Sequence, residues 1–413
     1  MAKSDFINHL SDRGYIHQCT NLDELDRLCA TKSIPAYIGF DCTADSLHVG
    51  SLIQIMMLRK LQQSGHRPIV LMGGGTTKIG DPSGKDNARP LLSSEDINSN
   101  MKNIKSVFEK YLNFGSQQTD AIMINNADWL DKLALIPFLR DYGKHFSINR
   151  LLGMESVKLR LEREQPLSFL EFNYAILQAF DFLELNRKFD CALQMGGSDQ
   201  WGNIVSGIDL TRRIQKKEVY GLTSPLITTA SGSKMGKTAN GAVWLNESKL
   251  SSWDFWQFWR NTEDKDVIKF LKLFTELPLV EIEKLAELKG SEINDAKIIL
   301  ANEATKLCHG EKASLQAFNS AKDTFQEGRI GGDLPKYRVT LSGNNDMSFV
   351  EALCKSNLCK SKGEARRLIK GGGARINDQP YLDENYLINK KHFGSNGTIK
   401  ISSGKKKHAV LYI

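Results

Sequence analysis

Up to about residue 230 the chain repeats one pattern, a short β-rich run closed by Gly, Asp or Asn and then a longer stretch with helical periodicity. The runs are AYIGF, PIVLMGG, AIMINN and CALQMGG. Few folds accommodate this alternation. Strands joined through helices lie parallel in one sheet, and such sheets take their ligands at the carboxyl ends of the strands. An open parallel α/β sheet is therefore predicted. From 250 to 330 no strand pattern remains, and SSWDFWQFWRN and NDAKIILANEATKLCHG read as amphipathic helices of a small helical domain. EGRIGGDLPKYRVTLSGNNDM, rich in Gly and turn residues, reads as a linker. The expected division is an α/β domain over 1–245, a helical domain over 246–330, a linker over 331–346 and a terminal domain over 347–413.

Composition narrows the class. The 413 residues are 41% apolar and 25% charged, as in ordinary globular chains. No apolar run approaches the roughly 18 residues of a membrane span, and MAKSDFINHL lacks the basic and apolar regions of a signal peptide, so the expected compartment is the cytoplasm. Seven scattered cysteines, with no C-x-x-C pair, suggest neither a disulfide framework nor a protein-ligated metal. Charge is uneven. From Lys336 to Ile413 there are 15 Lys and Arg against 6 Asp and Glu, a net of +9, while the residues before carry 40 against 42. That asymmetry points to a polyanion-binding module at the carboxyl end.

Several segments fall where a parallel sheet puts its ligands. PAYIGFDCTADSLHVGSL reads as strand, polar turn and a helix starting near His48, with Leu52, Ile55, Met56 and Leu58 on its buried face. A helix N-terminus favours anions, and a histidine beside it can donate to a phosphate oxygen or be merely structural. MGGGTTKIGDPSGKDNAR fits neither the dinucleotide fingerprint nor the P-loop; it is a Gly-rich strand end with Asp81, Lys85 and Arg89, or else a surface turn. In SFLEFNYAILQAFDFLEL, Ser168 and Glu171 are spaced as a capping box, and Tyr174, Gln178 and Asp181 form a polar stripe on an otherwise apolar helix. Unpaired polar burial costs about 1 to 3 kcal/mol per group, so these three either bond to each other and the sheet or line a small polar pocket. QMGGSDQWGN offers Asp199 and Gln200 after two glycines. GSKMGKT carries Lys234 and Lys237 in a loop suited to closing on a pyrophosphate. Near the end, Ser361 and Glu364 are again spaced as a capping box, and Lys362, Arg366 and Lys370 share one helix face. Trp253, Trp256 and Trp259 read as helix-packing core.

Together these segments resemble the class I aminoacyl-tRNA synthetases, and within them the bacterial-type tyrosyl family. HVGS at 48–51 resembles the signature His-Ile-Gly-His, and KMGKT at 234–238 resembles Lys-Met-Ser-Lys-Ser. YIGFDCTADSLHVG, IGDPSGK, EFNYAILQAFDF and GGSDQWGN resemble tyrosyl segments in the same order, and the tail from about 347 resembles an S4 RNA-binding domain. The resemblance implies an α/β fold with a Rossmann-like parallel-sheet catalytic domain, a small helical anticodon-side domain and a C-terminal S4 RNA-binding α+β domain. It also implies a homodimer that makes tyrosyl-adenylate from L-tyrosine and ATP with Mg2+, then passes tyrosine to the terminal ribose of tRNA(Tyr). Neither step needs a protein nucleophile, so catalysis is positioning and charge stabilisation.

By that resemblance Tyr37 and Asp181 bond the substrate phenol, while Asp81, Tyr174 and Gln178 hold its ammonium group. Gly39, Asp41, His48, Gly50, Ser51, Gly197, Asp199, Gln200 and Lys237 surround the nucleotide. Thr43 and His48 meet the γ-phosphate, and Lys85, Arg89, Lys234 and Lys237 the departing pyrophosphate, with Ser51 completing the catalytic set. Lys362, Arg366, Arg367 and Lys370 are the expected tRNA contacts. Two positions depart from the pattern: Cys42 stands where many members have proline, and Ser51 replaces the second signature histidine. A tryptophanyl enzyme shares the fold and signatures, but the Tyr37 and Asp181 pair argues against it. An RNA-binding protein that merely kept the scaffold is disfavoured by the nearly complete catalytic set.

Overall fold

A computed structural model of the chain describes residues 3–83, 92–230, 232, 235–238, 241–325, 334–339, 341, 346–394, 397–404 and 407–413. Two compact units divide it, Met1–Gly310 and Glu311–Ile413.

The first unit is organised by a six-stranded sheet whose strands are β1 (Gln18–Cys19), β2 (Pro35–Phe40), β3 (Arg67–Met72), β4 (Ile122–Asn125), β5 (Leu193–Gly197) and β6 (Tyr220–Ser224). Their order is β1-β6-β5-β2-β3-β4. Five strands are parallel, and β1 adds an antiparallel edge beside β6. The open parallel sheet expected from the sequence is present, and the antiparallel edge adds to it; a two-residue strand is too short to leave a periodic signal. From β2 the chain winds outward through β3 and β4, then returns to place β5 and β6 on the other side. The crevice between the carboxyl ends of β2 and β5 is thus the topological switch point, where open α/β sheets bind ligands.

Helices that join the strands bury their apolar faces on the sheet. Leu52–Gln63 follows β2 and buries Leu52, Ile55, Met56 and Leu58. Tyr174–Phe189 precedes β5, and its Ala175, Ala179, Phe182 and Leu183 share a core with Tyr37, Ile69 and Leu71. Ahead of it Ser168 Oγ accepts from Glu171 N at 3.2 Å while Glu171 Oε2 accepts from Ser168 N at 3.0 Å, so the capping box forms as its spacing predicts.

Residues 252–309 add the helices Ser252–Arg260, Val267–Phe274, Leu279–Ala286 and Ile293–His309, with Trp253, Trp256 and Trp259 buried between them. Polar contacts tie this helical part to the sheet part. Arg13 donates to the carbonyls of Lys272, Thr275 and Leu277, capping the Val267–Phe274 helix from outside. Arg59 holds Glu276 through two 2.8 Å bonds and donates from its third nitrogen to Tyr111 O at 2.7 Å. Burial alone would raise the Glu276 pKa; hydrogen bonds from Arg59 and Gln63 and the charges of Arg59 and Lys60 override it and hold the group at about 2.

In the second unit five short strands are ordered Gln379–Pro380, Ala374–Ile376, Thr398–Ser403, Lys407–Tyr412 and Lys336–Arg338. Phe349, Leu353, Ile369, Ile399, Ile401 and Leu411 are buried in one core with the helices Phe349–Lys355 and Lys362–Lys370. Ser361 caps the latter helix by accepting from Glu364 N at 3.2 Å, but Glu364 takes the N–H of Lys360 at 2.7 Å instead of that of Ser361. The expected reciprocal box is therefore corrected to a single cap, because the preceding N–H is in better reach of the carboxylate. No helix among the described residues is long and apolar enough to cross a membrane.

The Glu276 link gives a pH prediction. A carboxyl whose folded pKa lies below its ordinary 4.5 stabilises the fold above that value and loses the contribution as pH falls toward about 2. Glu276→Gln is expected to be less stable than the parent near neutrality, with the gap closing in acid. Denaturant unfolding of both proteins from neutral pH downward checks this; a gap independent of pH removes the ionised group from the account.

Candidate active site

Tyr37 lies in the middle of the sheet, its strand neighbours being Ile69 on β3 and Gln194 on β5. It is 1% exposed, and its hydroxyl has no hydrogen-bond partner among the described residues. Burial, and next the charge of Asp181, push its ionisation well above the ordinary tyrosine value, so it is a neutral donor.

Asp181 projects toward the same region from the Tyr174–Phe189 helix and is 2% exposed. Trp129 Nε1 donates to its Oδ1 at 2.7 Å and Asn126 Nδ2 to its Oδ2 at 2.9 Å. Desolvation raises its pKa to about 7 against the lowering effect of those two bonds, with the charge of Asp41 adding to the rise.

From Asp181 a chain of bonds crosses the end of the sheet. Asn126 Nδ2 also donates to Thr76 Oγ1 at 3.0 Å; Thr76 Oγ1 donates to Asp41 Oδ1 at 2.8 Å; and Tyr174 OH donates to Asp41 Oδ2 at 3.0 Å. A second chain runs alongside. Gln200 Nε2 donates to Asp81 Oδ2 at 2.9 Å, and Asn203 Nδ2 donates to both Gln200 Oε1 and Gln178 Oε1 at 3.1 Å. Of the alternatives open for the stripe Tyr174, Gln178 and Asp181, none bonds another member; each reaches a neighbouring element, and all three border the switch-point crevice.

Residues 73–77 are buried, which overturns the alternative of a surface turn for that part of the 72–89 segment; residues 84–89 lie outside the described residues. A Cβ on Gly73 would lie 2.3 Å from Asp41 Oδ1, so only glycine lets the strand end pass Asp41 this closely. Asn126 Oδ1 accepts from Gly75 N at 2.8 Å and Asn125 Oδ1 from Gly74 N at 3.1 Å, fixing the turn to the end of β4.

The other flank of the crevice is built from the segments after β2, β5 and β6. His48 caps the short turn Val49–Ser51, its Nδ1 accepting from Gly50 N at 3.0 Å. Ser51 N donates to His48 O at 2.8 Å, its side chain makes no capping bond, and the helix Leu52–Gln63 follows. Gly39 and Thr43 are exposed near Asp41 in sequence, and Gly197 ends β5 beside Asp199, Leu226 and Gln54. Lys237 lies in a two-strand hairpin, Lys237–Thr238 with Gly241–Ala242, that returns to the His48 segment: Val49 N donates to Val243 O at 2.9 Å. Lys85, Arg89 and Lys234 lie outside the described residues, as does the Lys237 side chain. In the second unit Lys362, Arg366, Arg367 and Lys370 are all exposed, with Arg366 and Lys370 facing Glu384 at 4.0 and 3.1 Å.

Thr76, Asn126, Trp129 and Asn203 are site residues that the sequence reading did not include. The signal for Asn126 was present in AIMINN, an asparagine pair closing β4, two strands from β2 at the switch point. Among the described residues no group of three or more His, Cys, Asp or Glu is placed to hold a metal ion. The arrangement offers polar recognition of a small molecule with an ionisable or hydroxyl end, beside a backbone platform for anions, and no activated nucleophile among the described residues.

Known proteins show the same arrangement of chain. The family described as "tRNA synthetases class I (W and Y)" matches residues 30–326, and "Tyrosine--tRNA ligase SYY-like C-terminal domain" matches 326–411. The tyrosine--tRNA ligase of Zymomonas mobilis is 61% identical over 99% of this chain and 98% of its own length, and that of Novosphingobium aromaticivorans 59% over the same shares. Among solved structures, a C-terminally truncated mitochondrial tyrosyl-tRNA synthetase of Aspergillus nidulans superposes with a TM-score of 0.70 at 31% identity, over 78% of this chain and 94% of its own. The chain belongs to the tyrosyl-tRNA synthetase family of the class I aminoacyl-tRNA synthetases.

Proposed function

We infer that this chain is a tyrosine--tRNA ligase: it joins L-tyrosine to ATP as tyrosyl-adenylate with release of pyrophosphate, then transfers tyrosine to the terminal ribose of tRNA(Tyr). The buried pair of Tyr37 and Asp181 at the switch point carries the reading. A phenol lying between them donates to the Asp181 carboxylate and accepts from Tyr37, which gives the buried Tyr37 hydroxyl a partner. A phenylalanine ring leaves both groups unpaired, and unpaired burial is what rejects an analogue lacking a hydroxyl.

At the other end of the amino acid, Asp81 and Gln178, joined through Gln200 and Asn203, take the ammonium group together with Tyr174. The carboxylate then points toward Asp41 and the turn at His48. There it attacks the α-phosphorus of ATP, which enters as its Mg2+ complex; the bond to the bridging oxygen breaks and pyrophosphate leaves with the electron pair. Thr43 and His48 donate to the γ-phosphate as charge grows, and Lys85, Arg89, Lys234 and Lys237 neutralise the departing pyrophosphate. Gly39, Gly50, Ser51, Gly197, Asp199 and Gln200 surround the adenosine. A serine at 51 is a shorter donor than histidine and reaches a ribose oxygen directly or through one water.

We assign tRNA contact to the S4-like second unit, through Lys362, Arg366, Arg367 and Lys370. We also propose a homodimer. Large apolar side chains exposed between residues 135 and 170, among them Leu135, Ile136, Ile148 and Phe169, support it, because solvent-facing apolar groups concentrated in one region mark contact surfaces. Sedimentation of the full chain is expected to give twice the monomer mass, and a monomer at micromolar concentration excludes it.

Exchange of labelled pyrophosphate into ATP tests the central claim. It is expected with tyrosine and not with tryptophan, and kcat/KM for tyrosine should rise through an apparent pKa near the value of about 7 held by Asp181 in the free enzyme. Asp181→Ala should erode discrimination against phenylalanine and flatten that pH profile; a variant that still rejects phenylalanine strongly places the phenol elsewhere. Replacing Lys362, Arg366 and Arg367 together by alanine should leave exchange intact, weaken tRNA charging, and lower the salt slope of tRNA binding by roughly one unit per lost phosphate contact. An unchanged slope moves the RNA surface away from this helix.

A further inference from the structure

Asp266 stands at the N-cap position of the Val267–Phe274 helix, where an aspartate ordinarily accepts an N–H of its own first turn. Here it makes no such bond. The side chain is 5% exposed, and its Oδ2 accepts from Ala230 N at 2.7 Å, 36 residues away in sequence. One turn along the helix, Lys269 Nζ donates to Thr228 O at 3.2 Å. The N-terminal end of this helix therefore grips residues 228–230, the segment by which the chain leaves the sheet for the KMGKT loop.

The far foot of that loop is fixed differently. Val49 N donates to Val243 O and Leu245 N donates to Leu47 O, both at 2.9 Å, binding it to the His48 segment. Between the feet the backbone is drawn together by Met235 N to Ile227 O at 2.9 Å and Val243 N to Gly236 O at 3.0 Å. Gly236 sits at φ +86°, where a Cβ would come within 3.1 Å of His48 Nδ1 and 3.0 Å of Gly50 N. The loop is thus a bridge with one abutment on the His48 turn and the other on the helical part of the chain, and Asp266 supplies the charged bond of the second.

We propose that Asp266 is a positioning residue for adenylate formation: by holding the Ala230 N–H it fixes the near foot of the loop that sets Met235 and Gly236 against the His48 turn. The inference rests on the functional reading above. It makes the helical part a contributor to the first chemical step without touching substrate. Loss of the bond frees one end of the loop while leaving Tyr37, Asp181 and their hydrogen-bonded neighbours, none of which it touches, as they were.

Rapid-quench measurement of adenylate formation, with the tyrosine dissociation constant determined separately, tests this. Asp266→Ala is expected to slow adenylate formation by roughly 10- to 100-fold, the scale of a displaced catalytic group, and to leave tyrosine binding within about twofold of the parent. Asp266→Asn keeps an oxygen that accepts the Ala230 N–H and should recover most of the rate. A parental rate in Asp266→Ala, an equal loss of tyrosine binding, or an asparagine variant as slow as alanine overturns the proposal. If Asp266→Ala does not stay folded, Lys269→Met decides, with a smaller slowing and the same unchanged tyrosine binding expected. An inactive parent enzyme overturns the functional reading, whereas an active parent with an indifferent Asp266→Ala overturns this inference alone.

Discussion

A carboxylate in the interior of a protein is costly, and the sheet part of this chain is arranged around keeping one there. Asp181 is 2% exposed, and an unpaired charge in that position would cost several kcal/mol. Two neutral donors, Trp129 Nε1 and Asn126 Nδ2, face its oxygens, each bond to a charged acceptor being worth roughly 1.5 to 3 kcal/mol. Those donors come from the segment after β4, 55 and 52 residues before Asp181 in the chain. Strand order, the short helix Ala127–Leu130 and the close packing of Tyr174–Phe189 on the sheet must all be correct for the three groups to meet. The pKa of about 7 shows that desolvation outweighs the two donors, with the charge of Asp41 adding to the rise.

The helical part is held by groups of the opposite kind. Arg13 and Arg59 are cations satisfied by carbonyls and by Glu276 at a surface where water still reaches, with the Glu276 side chain 31% exposed. Such a joint keeps its geometry through multiplicity of donors rather than through dehydration. Alongside it the Asp266 carboxylate, itself buried, accepts from Ala230 N at 2.7 Å, so the two ends of the Val267–Phe274 helix hold different parts of the sheet domain.

How much of this was legible in the sequence depended on the range of the interaction. AYIGF, PIVLMGG, AIMINN and CALQMGG became β2 to β5 because buried parallel strands are continuous apolar runs. Ser168 and Glu171 form their box because both partners lie within one turn of helix. The tryptophans at 253, 256 and 259 are core, as an amphipathic face predicts. The polar stripe at 174, 178 and 181 was visible as an anomaly, yet its partners Asp41, Asn203, Asn126 and Trp129 lie between 25 and 133 residues away, and spacing carries no information over that distance. Thr76 escaped notice because a threonine after glycines looks like turn chemistry until Asp41 is beside it. Glu364 misled for the reverse reason, since two equally local N–H groups competed for one carboxylate and geometry chose Lys360.

Asn126 has one further consequence. Its amide nitrogen touches both Asp181 and Thr76, and Thr76 in turn fixes Asp41, so only two side chains separate one carboxylate from the other. The span of the crevice is then set by the length of an asparagine and a threonine, both 4% exposed or less and both tied at their backbone neighbours. A cavity made this way has a stiff long axis. The distance between its two polar ends is held as firmly as the hydrogen bonds at either one.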